Sequence, residues 1–142
     1  MKSKPKNKKN TQKNILVIED ERPLVAAIQG KLERNDFLVT TARTVEQGFH
    51  YLEDVGKIDA IWLDHYLLGN ETGLDFVAKL KSPDSKWKNI PIFVVSNTAS
   101  SSNVQSYMRL GVSKYCVKAE HRLDQIIDEL KSFLDNTKEL KK

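Results

Sequence analysis

Short hydrophobic runs alternate along the chain with longer segments in which hydrophobic residues recur every three or four positions. Runs rich in β-branched residues predict buried strands, whereas the longer spacing predicts amphipathic helices. The predicted strands are 15–18, 37–41, 58–63, 90–95 and 115–117, and the predicted helices are 23–35, 44–55, 74–80, 100–110 and 123–134. Alternating strands and helices indicate βαβ units. We therefore predict an α/β fold, a doubly wound, five-stranded parallel sheet with five helices.

Residues that start and end helices support these boundaries. Pro23 suits the first turn of a helix because its missing N–H is not needed there. Thr44 and Gln47 have the spacing of a capping box. Gly111 can adopt the left-handed conformation that ends many helices. These signals locate the loops, and with them the ends of the strands.

The strand ends matter because ligands of such sheets bind beyond the carboxyl ends of the strands, near the point where the strand order reverses. Polar or charged residues follow four of the five predicted strands. They are Glu19, Asp20 and Glu21 after the first strand, Asp64 after the third, Ser96 after the fourth and Lys118 after the fifth.

The composition is that of a single soluble domain. The chain has 142 residues, of which 39% are hydrophobic and 30% charged, as is usual for a globular protein. The hydrophobic runs are too short for a membrane span or for the core of a secretory signal. The single cysteine, Cys116, excludes an internal disulfide and a zinc–thiolate cluster. We therefore expect a cytoplasmic protein without membrane insertion.

The net charge of +4 is unevenly distributed, because residues 1–14 contain six lysines and no acid and leave −2 for the rest. A segment of lysine and asparagine buries too little apolar surface to fold. We predict a disordered tail at 1–13, a folded domain at 14–136 and a frayed tail at 137–142. A nucleic-acid partner is not expected, since no aromatic side chain among the lysines could stack on bases. A weak, salt-sensitive contact of the tail with nucleic acid or anionic lipid is the alternative.

The residues at the strand ends suggest a chemistry. Glu19, Asp20 and Asp64 should converge, and like charges in a partly buried cleft require neutralisation. The ammonium of Lys118 and a divalent metal could supply it, and an all-oxygen ligand set favours Mg²⁺ or Mn²⁺ over zinc. With the hydroxyl of Ser96, these groups would form a phosphoryl-acceptor site in which Asp64 is the nucleophile. Each residue alone could be a helix-start acid, a turn former, a cap or a solvated lysine, but their order favours the joint site.

Four segments resemble the receiver domains of two-component response regulators. ILVIEDE (15–21) resembles the first strand and acidic pair of that family, and AIWLDHYLLGNETGLDF (60–76) resembles its acceptor strand and the following loop. PIFVVSNTAS (91–100) resembles the strand that ends in a switch Ser or Thr, and GVSKYCVKA (111–119) the last strand with its aromatic and lysine. The resemblance covers 14–136 and implies a flavodoxin-like sheet with strand order 2-1-3-4-5.

The resemblance implies a stand-alone response regulator that is not an enzyme beyond its autophosphorylation and autodephosphorylation. Asp64 would accept a phosphoryl group, with Mg²⁺, from the phosphohistidine of a sensor histidine kinase or from a phosphotransfer protein. Phosphorylation would then switch a surface read by an unknown downstream partner. The other implied roles are metal binding by Glu19, Asp20, Asp64 and the backbone carbonyl of Tyr66, phosphoryl contact by Lys118, and a switch pair formed by Ser96 and Tyr115.

Two positions depart from the pattern of the family. Ala119 follows Lys118, where the family usually has a proline joined by a cis bond. A cis bond before a non-proline residue costs about 2.5–4 kcal/mol, so we predict either a trans bond with a shifted loop or a strained cis bond. Asn97 follows Ser96, where a small residue is common. We hypothesise that its amide restricts the water that would hydrolyse an acyl phosphate.

Other functions of the same fold remain alternatives. The main one is a pseudo-receiver, a protein-interaction module not regulated by phosphorylation, which Ala119 favours and the complete acid and lysine set opposes. A phosphatase of the haloacid dehalogenase type would need a second acid at Tyr66. A flavin carrier would need a phosphate cradle where acids follow the first strand. His65, beside Asp64, is interpreted as a solvated loop side chain rather than a catalytic base.

Overall fold

The structure, a computed structural model, describes residues 12–97 and 100–140, and of residues 137–140 it describes only the backbone. Residues 1–11, which include most of the predicted disordered tail, and residues 141–142 lie outside the described part. Within that part, five strands and five helices alternate. They are β1 (Asn14–Ile18), α1 (Arg22–Arg34), β2 (Leu38–Ala42), α2 (Val45–Asp54), β3 (Ala60–Leu63), α3 (Gly73–Leu80), β4 (Ile92–Ser96), α4 (Ser101–Leu110), β5 (Lys114–Val117), a 3₁₀ turn (Lys118–Glu120) and α5 (Leu123–Leu140).

The five strands form one parallel sheet in the order β2-β1-β3-β4-β5. This confirms the predicted doubly wound, flavodoxin-like fold. Ile18 at the end of β1 pairs with Ala42 of β2 and with Leu63 of β3, and Ser96 at the end of β4 pairs with Val117 of β5. The residues that follow these strands are therefore brought to one edge of the sheet.

Helices cover both faces of the sheet, and each face has its own hydrophobic core. Leu16 and Ile18 of β1 face the core that includes buried residues of α2, α3 and α4. Ile15 and Val17 face the opposite core, beside residues of α1 and α5. Trp62 belongs to this second core and is fully buried, as the alternation of side chains along β3 requires.

Local hydrogen bonds explain where the helices begin and end. The hydroxyl of Thr44 accepts the N–H of Gln47 at 3.0 Å, so the predicted N-cap of α2 is confirmed, although the Gln47 side chain accepts from the N–H of Arg43. Gly111 ends α4 with a φ of 99°, as predicted. A full capping box, which the sequence analysis did not identify, starts α3 between Thr72 and Asp75.

Several boundaries differ from the predicted ones. Strand β3 begins at Ala60 rather than at residue 58. Just before it, Asp59 donates its N–H to the carbonyl of Asn14 and accepts the N–H of Asn14 with its side chain. Strand β4 runs from Ile92 to Ser96; Pro91 before it lacks an N–H and contributes only its carbonyl to the sheet. Helix α5 continues to Leu140, beyond residue 134, where the predicted helix ends; lysine, glutamate and leucine at 138–140 favour helix. The frayed tail at 137–142 stays a prediction.

Candidate functional site

The backbone of the sheet places two of the predicted acids. The N–H of Glu19 donates to the carbonyl of Ala42 at 3.0 Å, and the N–H of Asp64 donates to the carbonyl of Ile18 at 3.0 Å. Sheet hydrogen bonding thus continues one residue beyond β1 and β3. As a result Glu19 is only 1% exposed and Asp64 only 6% exposed, an unusual environment for carboxylates.

Glu19, Asp20 and Asp64 form a group that we call the acidic cluster. One carboxylate oxygen from each of the three residues lies within 4.8 Å of the others, which is compatible with a shared cation. Asp20 is the most exposed of the three, and its backbone carbonyl accepts a hydrogen bond from the guanidinium of Arg43 at 3.1 Å. The structure therefore brings together the three predicted carboxylates.

Lys118 supplies a positive charge to the acidic cluster. Its Nζ lies 3.1 Å from Oε1 of Glu19 and 3.4 Å from Oδ1 of Asp64. None of the peptide bonds in the described residues is cis, so the Lys118–Ala119 bond is trans. The chain continues after β5 as the 3₁₀ turn. The trans alternative of the prediction is therefore the correct one, and the ammonium still reaches both carboxylates.

Burial and mutual charge shift the titration of these groups. Burial, together with repulsion from Asp64, raises the pKa of Glu19, and the nearby ammonium offsets only part of this effect. Burial also raises the pKa of Asp64, again against the opposing effect of Lys118. Burial disfavours the ammonium of Lys118, but the charges of Asp64 and Glu19 outweigh it and raise its pKa. Three carboxylates therefore face the single ammonium of Lys118.

A hard divalent cation fits this donor set. The acidic cluster offers carboxylate oxygens only, the ligand type that Mg²⁺ and Mn²⁺ prefer. Burial raises the pKa of Glu19 and of Asp64 in spite of the nearby Lys118, so a further cation would favour their charged forms. The side chain of Tyr66 is 60% exposed, and the role of its backbone carbonyl as a fourth ligand stays a prediction.

Ser96 and Tyr115, the predicted switch pair, are in contact. Ser96 is fully buried at the end of β4, and Tyr115 lies on the neighbouring strand β5. Burial raises the pKa of the Tyr115 hydroxyl, and its hydrogen bond with Ser96 partly offsets this. The structure thus joins the two residues through a hydrogen bond, while their switching role stays a prediction.

His65 was interpreted wrongly as a solvated side chain. It is only 7% exposed, and its Nδ1 is hydrogen-bonded to the hydroxyl of Tyr107 on α4 at 2.6 Å. Burial lowers the pKa of His65, which favours the neutral ring. The sequence offers a single hint of this packing, Gly73, because a glycine in the loop after the acceptor strand permits a close approach of backbone.

The comparisons with other proteins agree with this fold. The family model of the response regulator receiver domain matches residues 15–131. The chain therefore belongs to the response regulator receiver domain family, a class of signalling domains in two-component systems.

Individual proteins show the same similarity. Chemotaxis protein CheY1 of Helicobacter pylori is 28% identical over 109 residues, which cover 73% of this chain and 83% of that protein. A CheY-like receiver domain protein from Methanospirillum hungatei superposes with a TM-score of 0.80 at 19% identity, over 91% of this chain and 98% of the other. The phosphorylated cyanobacterial phytochrome response regulator RcpA superposes with a TM-score of 0.73 at 26% identity, over 87% and 91% of the two chains.

The helices of the described residues were also compared with the length and hydropathy that a membrane span requires. Not one of them is both long enough and apolar enough to cross a bilayer.

Proposed function

We propose that this protein is a response regulator receiver in which Asp64 accepts a phosphoryl group from the phosphohistidine of a sensor histidine kinase or phosphotransfer protein. The observation that supports this most directly is the position of Lys118 Nζ, within 3.4 Å of Asp64 and 3.1 Å of Glu19. A lysine held by the acceptor carboxylate can also contact the oxygens of an incoming phosphoryl group.

The proposed transfer is a displacement at phosphorus. A carboxylate oxygen of Asp64 forms a bond to phosphorus while the P–N bond of the phosphohistidine breaks. The bonding electrons leave with the imidazole nitrogen, and the product on Asp64 is an acyl phosphate. The geometry is favourable because Asp64 follows β3 directly and its backbone N–H is fixed to β1, so the nucleophile is held in one orientation.

The residues around Asp64 have different proposed roles in the phosphoryl transfer. Lys118 would contact the phosphoryl oxygens, and the hydroxyl of Ser96 would donate a hydrogen bond to one of them. Glu19, Asp20, Asp64 and the carbonyl of Tyr66 would hold Mg²⁺, or Mn²⁺ in its place. The metal would offset negative charge on the transferring group. The similarity to RcpA, a response regulator solved in phosphorylated form, supports the same modification here.

Phosphorylation would change a surface of the domain. A phosphoryl group adds roughly −1.5 to −2 charge and three strong hydrogen-bond acceptors. Ser96 would turn from Tyr115 toward that group, and Tyr115 would move into the space that is left. The surface formed by α4, β5 and α5 would then shift in population from one packing to another, and a partner would bind the two packings with different affinity. We place this signalling in the cytoplasm, between a kinase and an unidentified protein target.

The proposed function is tested with a small phosphodonor. Purified protein is incubated with phosphoramidate and MgCl₂, and intact mass is measured. We expect the wild type to gain the mass of one phosphoryl group when Mg²⁺ is present. The wild type without Mg²⁺ and the variant Asp64→Asn should show no gain. The matched control is Asp84→Asn, an exposed acid in the loop before β4, which should be modified like the wild type. Equal modification of Asp64→Asn would place the phosphoryl group on another residue and overturn the role of Asp64. No modification of the wild type would favour the pseudo-receiver alternative.

A further inference from the structure

The backbone that follows Asp64 is held through His65 at three points. The N–H of His65 donates to the carboxylate of Asp64. Its carbonyl accepts the N–H of Gly73 at 2.8 Å, which closes the loop between β3 and α3. Its Nδ1 is hydrogen-bonded to the hydroxyl of Tyr107 at 2.6 Å. Of the three contacts, the ring contact is the one made by the side chain of His65, and it reaches Tyr107 on α4, 42 residues away.

The surroundings of this hydrogen bond leave no room for a substitute. Tyr107 is fully buried and His65 nearly so, so bulk water cannot replace a lost partner. Gly73 packs against the hydroxyl of Tyr107 and the backbone of Asp64 and His65. A Cβ at Gly73 would lie 2.5 Å from the carbonyl oxygen of Asp64 and 2.7 Å from the hydroxyl of Tyr107. The hydroxyl, the loop backbone and the acceptor residue are therefore in mutual contact.

We propose that Tyr107 is a positioning residue for the acceptor site: through His65 it orients the backbone that follows Asp64. This backbone presents the N–H of His65 to the acceptor, and it leads directly to the carbonyl of Tyr66. The proposal rests on the proposed function, in which Asp64 is the acceptor. It deepens that function by assigning to α4 a role in holding the site.

The same tyrosine also faces the proposed switch pair. The ring of Tyr107 lies 5.6 Å from the ring of Tyr115, centroid to centroid, and Tyr115 is hydrogen-bonded to Ser96. His65 and Tyr115 therefore both contact the side chain of Tyr107. A displacement of the loop after Asp64 reaches Tyr107 directly, and Tyr107 cannot shift without changing its packing against Tyr115.

The test uses Tyr107→Phe, which removes the hydroxyl and keeps the ring in the core. The matched control is Tyr51→Phe, which removes the hydroxyl of a partly buried tyrosine on α2. We measure the dissociation constant for MgCl₂ by calorimetry, the hydrogen-exchange rate of the Gly73 amide by NMR, and the rate of modification by phosphoramidate. Loss of a partner that supports metal ligands weakens binding by about 10-fold or more. We expect about that loss for Tyr107→Phe, with faster exchange at Gly73, and wild-type values for the control.

A second set of variants separates positioning from general destabilisation. His65→Leu should reproduce the effects of Tyr107→Phe, and the double variant should be no worse than either single one. His65→Asn keeps a polar atom near the position of Nδ1 and should restore part of the Mg²⁺ affinity. Should Tyr107→Phe fail to fold, the comparison of His65→Leu with His65→Asn gives the same test.

The outcomes for the two proposals differ. Wild-type Mg²⁺ affinity and wild-type exchange at Gly73 in Tyr107→Phe would overturn the positioning role, whatever the phosphorylation result. A wild-type protein that gains no phosphoryl group would overturn the proposed function. In that case the Mg²⁺ and exchange measurements still decide whether Tyr107 holds the loop.

Discussion

Nζ of Lys118 lies 3.1 Å from Oε1 of Glu19, although 99 residues separate the two along the chain. The same ammonium lies 3.4 Å from Asp64, so one positive charge is shared by two nearly buried carboxylates. Asp20 adds a third carboxylate to the group. The folded protein therefore keeps unbalanced negative charge at the edge of its sheet, and its stability should respond to protons and to divalent cations.

The first prediction concerns pH. The pKa of Asp64 is raised from its ordinary value of 3.8 and that of Glu19 from 4.5, chiefly by burial. A carboxyl group with a raised pKa binds protons more tightly in the folded chain, so its ionisation destabilises the fold at neutral pH. This penalty is removed as the pH falls through the folded-state pKa toward the ordinary value. We therefore expect Asp64→Asn to be more stable than the wild type at pH 7 in EDTA.

The difference between the two proteins should disappear with acidification. Urea unfolding of wild type and Asp64→Asn at several pH values measures it, and the two free energies of unfolding should converge below about pH 4. Comparing the variant with the wild type cancels the titration of groups elsewhere. A wild type that is more stable than Asp64→Asn at pH 7 without metal would contradict the prediction.

The second prediction concerns Mg²⁺. A ligand that binds the folded state alone stabilises it by about 2.7 kcal/mol at a concentration one hundred times its dissociation constant. MgCl₂ should therefore raise the melting temperature of the wild type, and the increase should be smaller in Asp20→Asn. Exposed Asp84→Asn serves as the control for loss of one negative charge. An equal response of all three proteins would indicate nonspecific screening.

The sequence was sufficient for the architecture, and it predicted which carboxylates would lie close together. Hydrophobic runs separated by amphipathic segments define a parallel sheet, and a parallel sheet brings the carboxyl ends of its strands to one edge. Glu19, Asp20 and Asp64 were therefore expected to converge, and the structure brings their carboxylates together. The exact ends of β3 and α5 differed from the prediction, because hydrophobic Ile58 precedes β3 without belonging to it and α5 continues beyond residue 134, where the hydrophobic spacing stops.

The surroundings of the site depend on contacts that no local pattern reveals. His65, in the loop after β3, is nearly buried, and its ring is hydrogen-bonded to Tyr107 on α4. Lys118 reaches Glu19 and Asp64 despite a trans bond to Ala119, and the chain continues after β5 as a 3₁₀ turn. The burial of His65 and the contacts of Lys118 arise from tertiary packing. The spacing of residues along the chain therefore could not predict them.

The third prediction concerns Gly73. A Cβ at this position would lie 2.5 Å from the carbonyl oxygen of Asp64, a backbone atom that cannot move without displacing the acceptor. Overpacking of this kind costs about 1–3 kcal/mol, so Gly73→Ala should lose that much stability and be modified more slowly by phosphoramidate. Gly30→Ala is the matched control, because its Cβ meets only the flexible side chain of Arg34 at 3.5 Å. That substitution should stabilise α1 by about 0.5–1 kcal/mol.

The fourth prediction separates phosphorylation from switching. Ser96→Ala removes the buried hydroxyl that is bonded to Tyr115, while Asp64 and Lys118 remain in place. We expect the variant to accept a phosphoryl group from phosphoramidate, but without the chemical-shift changes in α4 and β5 that the wild type should show by NMR. Ser96→Thr keeps a hydroxyl and should retain them. Wild-type shift changes in the phosphorylated Ser96→Ala would disprove the switching role of Ser96.

The fifth prediction concerns the lifetime of the acyl phosphate. Asn97 follows the buried Ser96 at the end of β4 and is itself exposed, so its amide can occupy the approach of water to the phosphoryl group on Asp64. Asn97→Ala opens that approach, and dephosphorylation after removal of phosphoramidate should become severalfold faster. Asn89→Ala, an exposed asparagine before β4 at the opposite edge of the sheet, should leave the lifetime unchanged. An unchanged lifetime in Asn97→Ala would show that water reaches the phosphoryl group without crossing this side chain.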